Sequence, residues 1–109
     1  MYTDSVKHLA FESALDLAAR VGATGIEIAT GGQSSAPHLE LDSLLADPRA
    51  RALFTEAFTS RGLRIAALNC SAWPLHPIHG DRHVELIRST IRLAGELGVE
   101  KIVTMSGNP

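Results

Sequence analysis

The segment Gly25-Ile26-Glu27-Ile28-Ala29-Thr30 decides the fold class. It is short and rich in β-branched residues, as buried strands are, and it follows an amphipathic run, Ala14–Val21, that ends at Gly22. The same order of amphipathic run, glycine and strand recurs twice. The second unit is Phe54–Gly62 with Arg64–Cys70, and the third is Ile91–Gly98 with Lys101–Ser106. Regular alternation of helices and strands predicts β-α units and a parallel sheet.

The spacing of the units supports this prediction. Gly22, Gly62 and Gly98 are 40 and 36 residues apart. Repeats of this length also occur in helical solenoids, but each repeat here holds one helix and one strand. The glycines suit the left-handed position just beyond a helix, where they end it.

Apolar spacing predicts the buried faces of two helices. The first face is Phe11, Ala14, Leu15, Ala18 and Val21, and the other is Val84, Ile87, Ile91, Ala94 and Leu97. Asp47-Pro48 is typical of a helix start, with Asp as the capping residue and Pro in the first turn. Asp81 is the candidate cap of the last helix.

The two ends of the chain indicate an incomplete fold. Tyr2–Ser5 is too short for a full first strand, so we interpret it as a stub, and Gly107–Pro109 stop where a β-α loop should continue. We therefore predict that residues 1–109 are one partial domain: the N-terminal portion, about four β-α units, of a parallel (β/α)8 TIM barrel, truncated. A small self-sufficient α/β domain that ends in a strand is the alternative.

Composition excludes several functional classes. The formal net charge is −2 with both signs interspersed, which argues against a nucleic-acid surface. Apolar runs are too short for a membrane span, and the N-terminus lacks the pattern of a signal peptide. Cys70 is the single cysteine, which fits a reducing compartment. We expect a cytoplasmic protein. The sequence does not decide between a monomer and a homo-oligomer.

Glu27 is the first candidate for function. Because side chains alternate along a strand, Ile26 and Ile28 should pack against helices while Glu27 points into the barrel. A carboxylate inside a core is costly unless it is paired or used. Contact with substrate and a structural ion pair with a neighbouring Lys or Arg are both open.

The loop that follows the second strand holds most of the remaining candidates. Asn69 ends the strand, and Trp73, His76 and His79 follow within a segment that contains two prolines. Imidazole suits proton transfer near neutral pH, and an indole face suits stacking of a sugar ring. We expect Asn69, Trp73 and His76 to line one concavity with Glu27, whereas His79 can point either way. Two histidines without a third ligand are a weak metal signal.

Other positions are weaker candidates. Ser106 follows the last strand and suits substrate contact, although Gly-Asn-Pro after it is equally an ordinary turn. We interpret Cys70 as a small buried residue and not as a nucleophile. Gly31-Gly32 lacks the sequence pattern of a phosphate-binding loop. We expect His83 in the first turn of the last helix. His8 and His38 are expected to be solvated.

At these residues the chain resembles a known superfamily. Gly25–Ile28, Ile65–Ser71 and Pro74–Pro77 resemble the N-terminal half of the xylose-isomerase-like TIM barrels, and the resemblance covers essentially the whole chain. Its most specific part is Asn69-Cys70-Ser71 together with Pro74-Leu75-His76-Pro77. The superfamily includes sugar-phosphate isomerases and epimerases and the endonuclease-IV-type repair enzymes. Its members usually hold a divalent metal (Mn²⁺, Mg²⁺, Zn²⁺ or Co²⁺), with catalytic residues mostly from strands that this chain lacks.

The resemblance implies a function for the intact protein only. That function is isomerisation or epimerisation of a small-molecule sugar substrate by metal-assisted proton transfer. Glu27, Asn69, Trp73, His76 and Ser106 would be substrate-binding residues, with no complete metal site in this chain. Two other classes are open: a metal-dependent phosphodiesterase of the endonuclease branch, and a small non-catalytic α/β binding module.

Overall fold

A computed structural model describes residues 1–105 of the chain. After a 3-10 helix at Thr3–Val6, the elements are α1 Phe11–Arg20, β1 Gly25–Gly32, α2 Leu41–Ala46, α3 Pro48–Thr59, β2 Arg64–Ser71, α4 Gly80–Leu97 and β3 Ile102–Thr104. The predicted alternation of helices and strands is confirmed. The short helix α2 is an element that the repeat did not predict, and β3 ends before Met105.

The sheet is parallel and its strands follow their order in the chain. Over residues 1–105 it contains three strands in the order β1-β2-β3. Tyr2 forms a single parallel bridge to Glu27, and the Glu27 N–H donates to the Met1 carbonyl at 2.7 Å. Of the strand stub predicted at Tyr2–Ser5, Tyr2 alone bridges β1, whereas Thr3–Ser5 lie in the 3-10 helix, so the prediction is wrong for those three residues. Since parallel connections are right-handed, a sequential order places the connecting helices on one face of the sheet.

The core lies between that face and the helices. One cluster of buried residues joins all four helices to β1 and β2: Leu15, Ala18, Ile26, Ile28, Leu39, Leu44, Phe54, Phe58, Leu63, Leu68, Leu93 and Ala94. Phe11, Phe54 and Phe58 form an aromatic cluster between α1 and α3, with ring centroids 5.2 to 5.7 Å apart. Ile26 and Ile28 are fully buried in this core, as the alternation of β1 predicted.

Local signals fix most of the helix ends. The Asp47 side chain accepts the Arg49 N–H at 2.9 Å and Pro48 begins α3, which confirms the predicted start. Gly22, Gly62 and Gly98 all have positive φ angles, as predicted for residues that end helices. Asp81 is not the cap of α4, because the helix already begins at Gly80 and Asp81 lies within its first turn.

Two predictions about buried faces are wrong. Val21 is 63% exposed because α1 ends one residue before it. Ile91 is 54% exposed, since α4 instead turns His83, Thr90 and Leu93 toward the sheet. The Thr90 hydroxyl lies 2.9 Å from the Thr30 hydroxyl of β1 and donates to the Leu86 carbonyl. These bonds make a polar position tolerable at a buried helix-sheet contact.

No helix between residues 1 and 105 is long and apolar enough to cross a membrane.

Candidate functional site

Glu27 and Asn69 meet on the face of the sheet opposite the helices. The Asn69 side-chain N–H donates to Glu27 Oε2 at 2.7 Å. Glu27 alternates with Ile26 and Ile28, which face the core, and Asn69 follows the core residue Leu68 in the same way. The partner of Glu27 is thus a neutral amide, and the four salt bridges among the described residues all lie elsewhere. This hydrogen bond fixes the orientation of the half-buried Glu27 side chain.

Residues from the N-terminal segment extend this pair. Burial raises the pKa of Tyr2 to about 12, with the nearby carboxylates of Asp4 and Glu27 adding to the effect. Asp4 Oδ1 accepts a hydrogen bond from the Ser34 hydroxyl at 2.7 Å. Tyr2, Asp4 and Ser34 therefore join Glu27 and Asn69 in one polar cluster, which we call the acidic cluster.

A second group gathers just beyond the strands. Met105 Sδ accepts from Gln33 Nε2 and from Trp73 Nε1, each at 2.8 Å. These three residues follow β1, β2 and β3 respectively. Carboxyl ends of parallel strands meet at one edge of the sheet, which explains the convergence. Ser71 ties the same edge together, because its hydroxyl donates to the Gly31 carbonyl and accepts the Gln33 and Ser34 N–H groups.

His76 stacks on Trp73, with ring centroids 6.1 Å apart and planes 9° from parallel. Its Nδ1 accepts the backbone N–H groups of Ile78 and His79 at 3.1 and 3.0 Å. The neutral ring therefore carries its proton on Nε2. Nδ1 is occupied by the loop's own backbone, so Nε2 is the nitrogen left for a ligand.

His83 anchors the start of this loop. It lies in the first turn of α4, as predicted, and is 6% exposed. Its Nδ1 accepts the Trp73 backbone N–H at 2.7 Å. The rings of His76 and His79 are 4.8 Å apart and those of His79 and His83 are 6.5 Å apart. Four aromatic side chains thus follow one another along the loop, which we call the aromatic stack: Trp73, His76, His79 and His83.

The structure brings some of the predicted site residues together. Glu27 contacts Asn69 within the sheet, and Trp73 contacts His76 beyond its carboxyl edge. Within residues 1–105 no hydrogen bond joins the two pairs, so the shared concavity stays a prediction. Ser106 lies outside the described residues.

Sequence reasoning missed several residues of the site. Gln33 and Met105 directly follow β1 and β3, and that position was the signal available for them. Tyr2 precedes the 3-10 helix and Asp4 lies within it, and no strand-end position marked them. His38 was predicted to be solvated, which is wrong: it is 5% exposed and its Nε2 lies 2.6 Å from the Leu9 carbonyl. The neighbouring residue Leu39 is part of the hydrophobic core, so the backbone at His38 lies close to the core as well. His8 is exposed, as predicted.

Cys70 is fully buried, as expected, and burial raises the pKa of its thiol. A raised pKa disfavours the thiolate, which is the nucleophilic form. The geometry therefore agrees with a small core residue.

Grooves also lie in the helix layer. One of about 530 Å³ is bordered by Phe11, His38 and Phe54 among others. It is separated from the strand ends by the core, so it does not belong to the acidic cluster or the aromatic stack.

The residues present do not make a metal site by themselves. In the part of the chain that the structure describes, no group of three or more His, Cys, Asp or Glu side chains is placed to hold a metal ion. The rings of the aromatic stack lie face to face instead of directing their nitrogens toward one point.

The chain has a bacterial relative of much greater length. It is 46% identical over 108 residues to the uncharacterized protein YfiH of Bacillus subtilis (strain 168). The match covers 98% of this chain and 34% of the relative, so the chain spans about a third of the length of the curated relative it matches. No family model matches the chain.

Proposed function

We propose that this chain is the N-terminal portion of a xylose-isomerase-like (β/α)8 barrel, and that the intact protein isomerises or epimerises a sugar or sugar phosphate. The observation that carries the proposal is the Glu27–Asn69 pair on the open face of a parallel sheet. In a barrel that face is the interior, and its carboxyl edge holds the active site.

The topology supports the barrel. Strands that follow chain order, with helices on one face, curve into a barrel, whereas doubly wound sheets reverse direction and carry helices on both faces. The stub at Tyr2 supplies the first strand position and β1 to β3 supply the next three. The relative's greater length supplies room for further β-α units.

The acidic cluster suits a polyhydroxy ligand. Glu27 is an acceptor held in place by Asn69, and carboxylates form strong hydrogen bonds to hydroxyl groups. Asp4 and Tyr2 add a further acceptor and a phenol that can donate. Trp73 contributes an apolar face and His76 an Nε2–H donor beyond the carboxyl edge of the same sheet. These groups bind and orient a sugar without themselves moving its carbon-bound proton.

Proton transfer beside a carbonyl needs a base and stabilisation of the enediolate. In the superfamily a divalent metal (Mn²⁺, Mg²⁺, Zn²⁺ or Co²⁺) supplies the stabilisation. The described residues do not fit such a metal alone, so we assign its ligands and the catalytic base to the remainder of the proposed barrel and route no step through this chain.

The test is solvent exchange. The intact protein should move deuterium from D₂O to the carbon beside the carbonyl of a ketose, followed by NMR over a panel of free and phosphorylated ketoses with each of the four metals. Glu27→Gln should lower kcat/KM about 10- to 100-fold, as expected for losing a charged hydrogen bond to substrate. Stability should change little, since the amide oxygen still accepts from Asn69.

Glu56→Gln is the matched control, because Glu56 is an exposed carboxylate on α3 and should leave exchange unchanged. Absence of exchange with every ketose and metal would contradict the proposed reaction. Loss of folding in Glu27→Gln would instead make Glu27 a structural residue.

A further inference from the structure

His83 is a buried histidine whose hydrogen bond holds a loop. It is 6% exposed, and its partner among residues 1–105 is the backbone of the loop. Its Nδ1 accepts the backbone N–H of Trp73. Trp73 is the first residue of the loop after buried Ala72. From Trp73 the loop closes in two turns, with His76 N–H donating to the Trp73 carbonyl and Gly80 N–H to the His76 carbonyl.

This bond needs an unprotonated Nδ1. A neutral imidazole with its proton on Nε2 accepts at Nδ1, whereas an imidazolium ring has two donors and no acceptor. The titratable and charged groups around His83 are Arg82 and His79 on the same helical turn and His76 on the loop. Burial, then the charge of Arg82 and the two histidines, lower the pKa of His83 below its ordinary range.

We infer that His83 is the positioning residue of the proposed sugar site: through Trp73 it holds the aromatic stack against the carboxyl edge, and its protonation releases the stack. The inference rests on the proposed function for its biological meaning. The geometry that carries it is independent of any ligand, because the Trp73–Met105 contact and the Trp73–His76 stack both depend on where Trp73 is held.

The single tryptophan of the sequence makes the inference measurable. Acrylamide quenching of Trp73 fluorescence reports how far the indole is shielded. In the 109-residue chain, quenching should be lower at pH 8 than in acid, and it should rise as the pH falls below about 6.5, the ordinary histidine pKa. Loss of one buried hydrogen bond should shift the ratio of held to released loop about tenfold.

Two variants separate positioning from packing. His83→Asn places an amide oxygen near the Nδ1 position without a titrating group, so quenching should stay at the wild-type pH 8 level across the range. His83→Leu keeps the bulk but has no acceptor, so quenching should be high at every pH. Circular dichroism confirms that each variant is folded, and Trp73→Phe gives the signal to subtract.

His76→Asn controls for direct quenching of Trp73 by a protonated neighbour, and its acid transition should persist. An acid transition in His83→Asn equal to that of wild type would overturn the inference. So would wild-type shielding in folded His83→Leu at pH 8. Neither readout uses a substrate, so failure of the proposed isomerase reaction leaves this test intact.

Discussion

At the scale of single residues, Tyr2 is the group whose ionisation the fold changes most clearly. Burial, with the carboxylates of Asp4 and Glu27, raises its pKa from 10.0 to about 12. The folded state therefore favours the neutral phenol more than the unfolded chain does. This contribution to stability is fully present below pH 10 and is lost as the pH rises toward 12.

Tyr2 is the single tyrosine of the sequence, so absorbance at 295 nm follows it alone. We expect tyrosinate to form near pH 12 while circular dichroism shows the fold intact. Asp4→Asn with Glu27→Gln should lower that midpoint but keep it above 10, since burial is the larger cause. A midpoint near 10 in the folded protein would contradict the buried position of Tyr2 beside Glu27.

Single residues of the site were predictable where strand alternation decides their direction. Glu27 was expected to point away from Ile26 and Ile28, and it does. Contacts made by loops were not predictable, because they depend on how segments far apart in sequence close on one another. Gln33 donates a hydrogen bond to the sulfur of Met105, which is 72 residues away in the sequence. No local sequence pattern encodes that contact.

At the scale of elements, β1 ends in Gly32, where the neighbouring strand β2 leaves no room for a side chain. Gly32 has φ +87°, and a β-carbon on it would overlap the Ser71 carbonyl. Gly32→Ala should therefore destabilise the intact protein by about 2 kcal/mol or more. The measurement is the thermal midpoint.

Gly95 provides the matched control. It lies within α4, is exposed, and has no heavy atom within 4 Å of an added β-carbon. Gly95→Ala should stabilise the protein by about 0.5–1 kcal/mol, because alanine restricts the unfolded chain more than glycine does. Equal midpoints for the two variants would show that the edge of β1 tolerates a side chain.

The elements also show where periodicity fails. Spacing located α4, but the face that packs on the sheet contains Thr90 and His83 in place of Ile91. Hydrophobic periodicity predicts burial from apolar side chains alone. It therefore misses a buried polar residue whose hydrogen-bond partner lies on another element. Thr30 supplies that partner for Thr90, and the Trp73 backbone supplies it for His83.

At the scale of the whole molecule, the parallel α/β arrangement was predictable because it follows from local alternation and the handedness of connections. Closure into a barrel stays a proposal, since it depends on strands that the described residues do not include. The sheet has helices on one face, and the other face carries the acidic cluster. Between residues 1 and 105, β3 pairs with β2 alone.

This one-sided sheet leads to a prediction about self-association. Val103 and Met105 are 42% and 43% exposed beside the outer edge of β3, and Ile91 on α4 is 54% exposed. An open strand edge with apolar side chains is a template for pairing with another chain. We therefore expect the 109-residue chain to associate, and to unfold without a single cooperative monomeric transition. Sedimentation velocity and urea unfolding followed by circular dichroism measure the two properties.

Val103→Lys should reduce the association, because a charge at a strand edge opposes pairing. Leu53→Lys is the control: Leu53 is 60% exposed on α3, away from the sheet edge, so its replacement should leave association unchanged. Equal effects of the two variants would mean that general surface apolarity drives the association and not the β3 edge. A monomer that unfolds in one cooperative step would show that the helix-sheet core stabilises these residues alone, and the self-sufficient α/β domain would then replace the partial barrel.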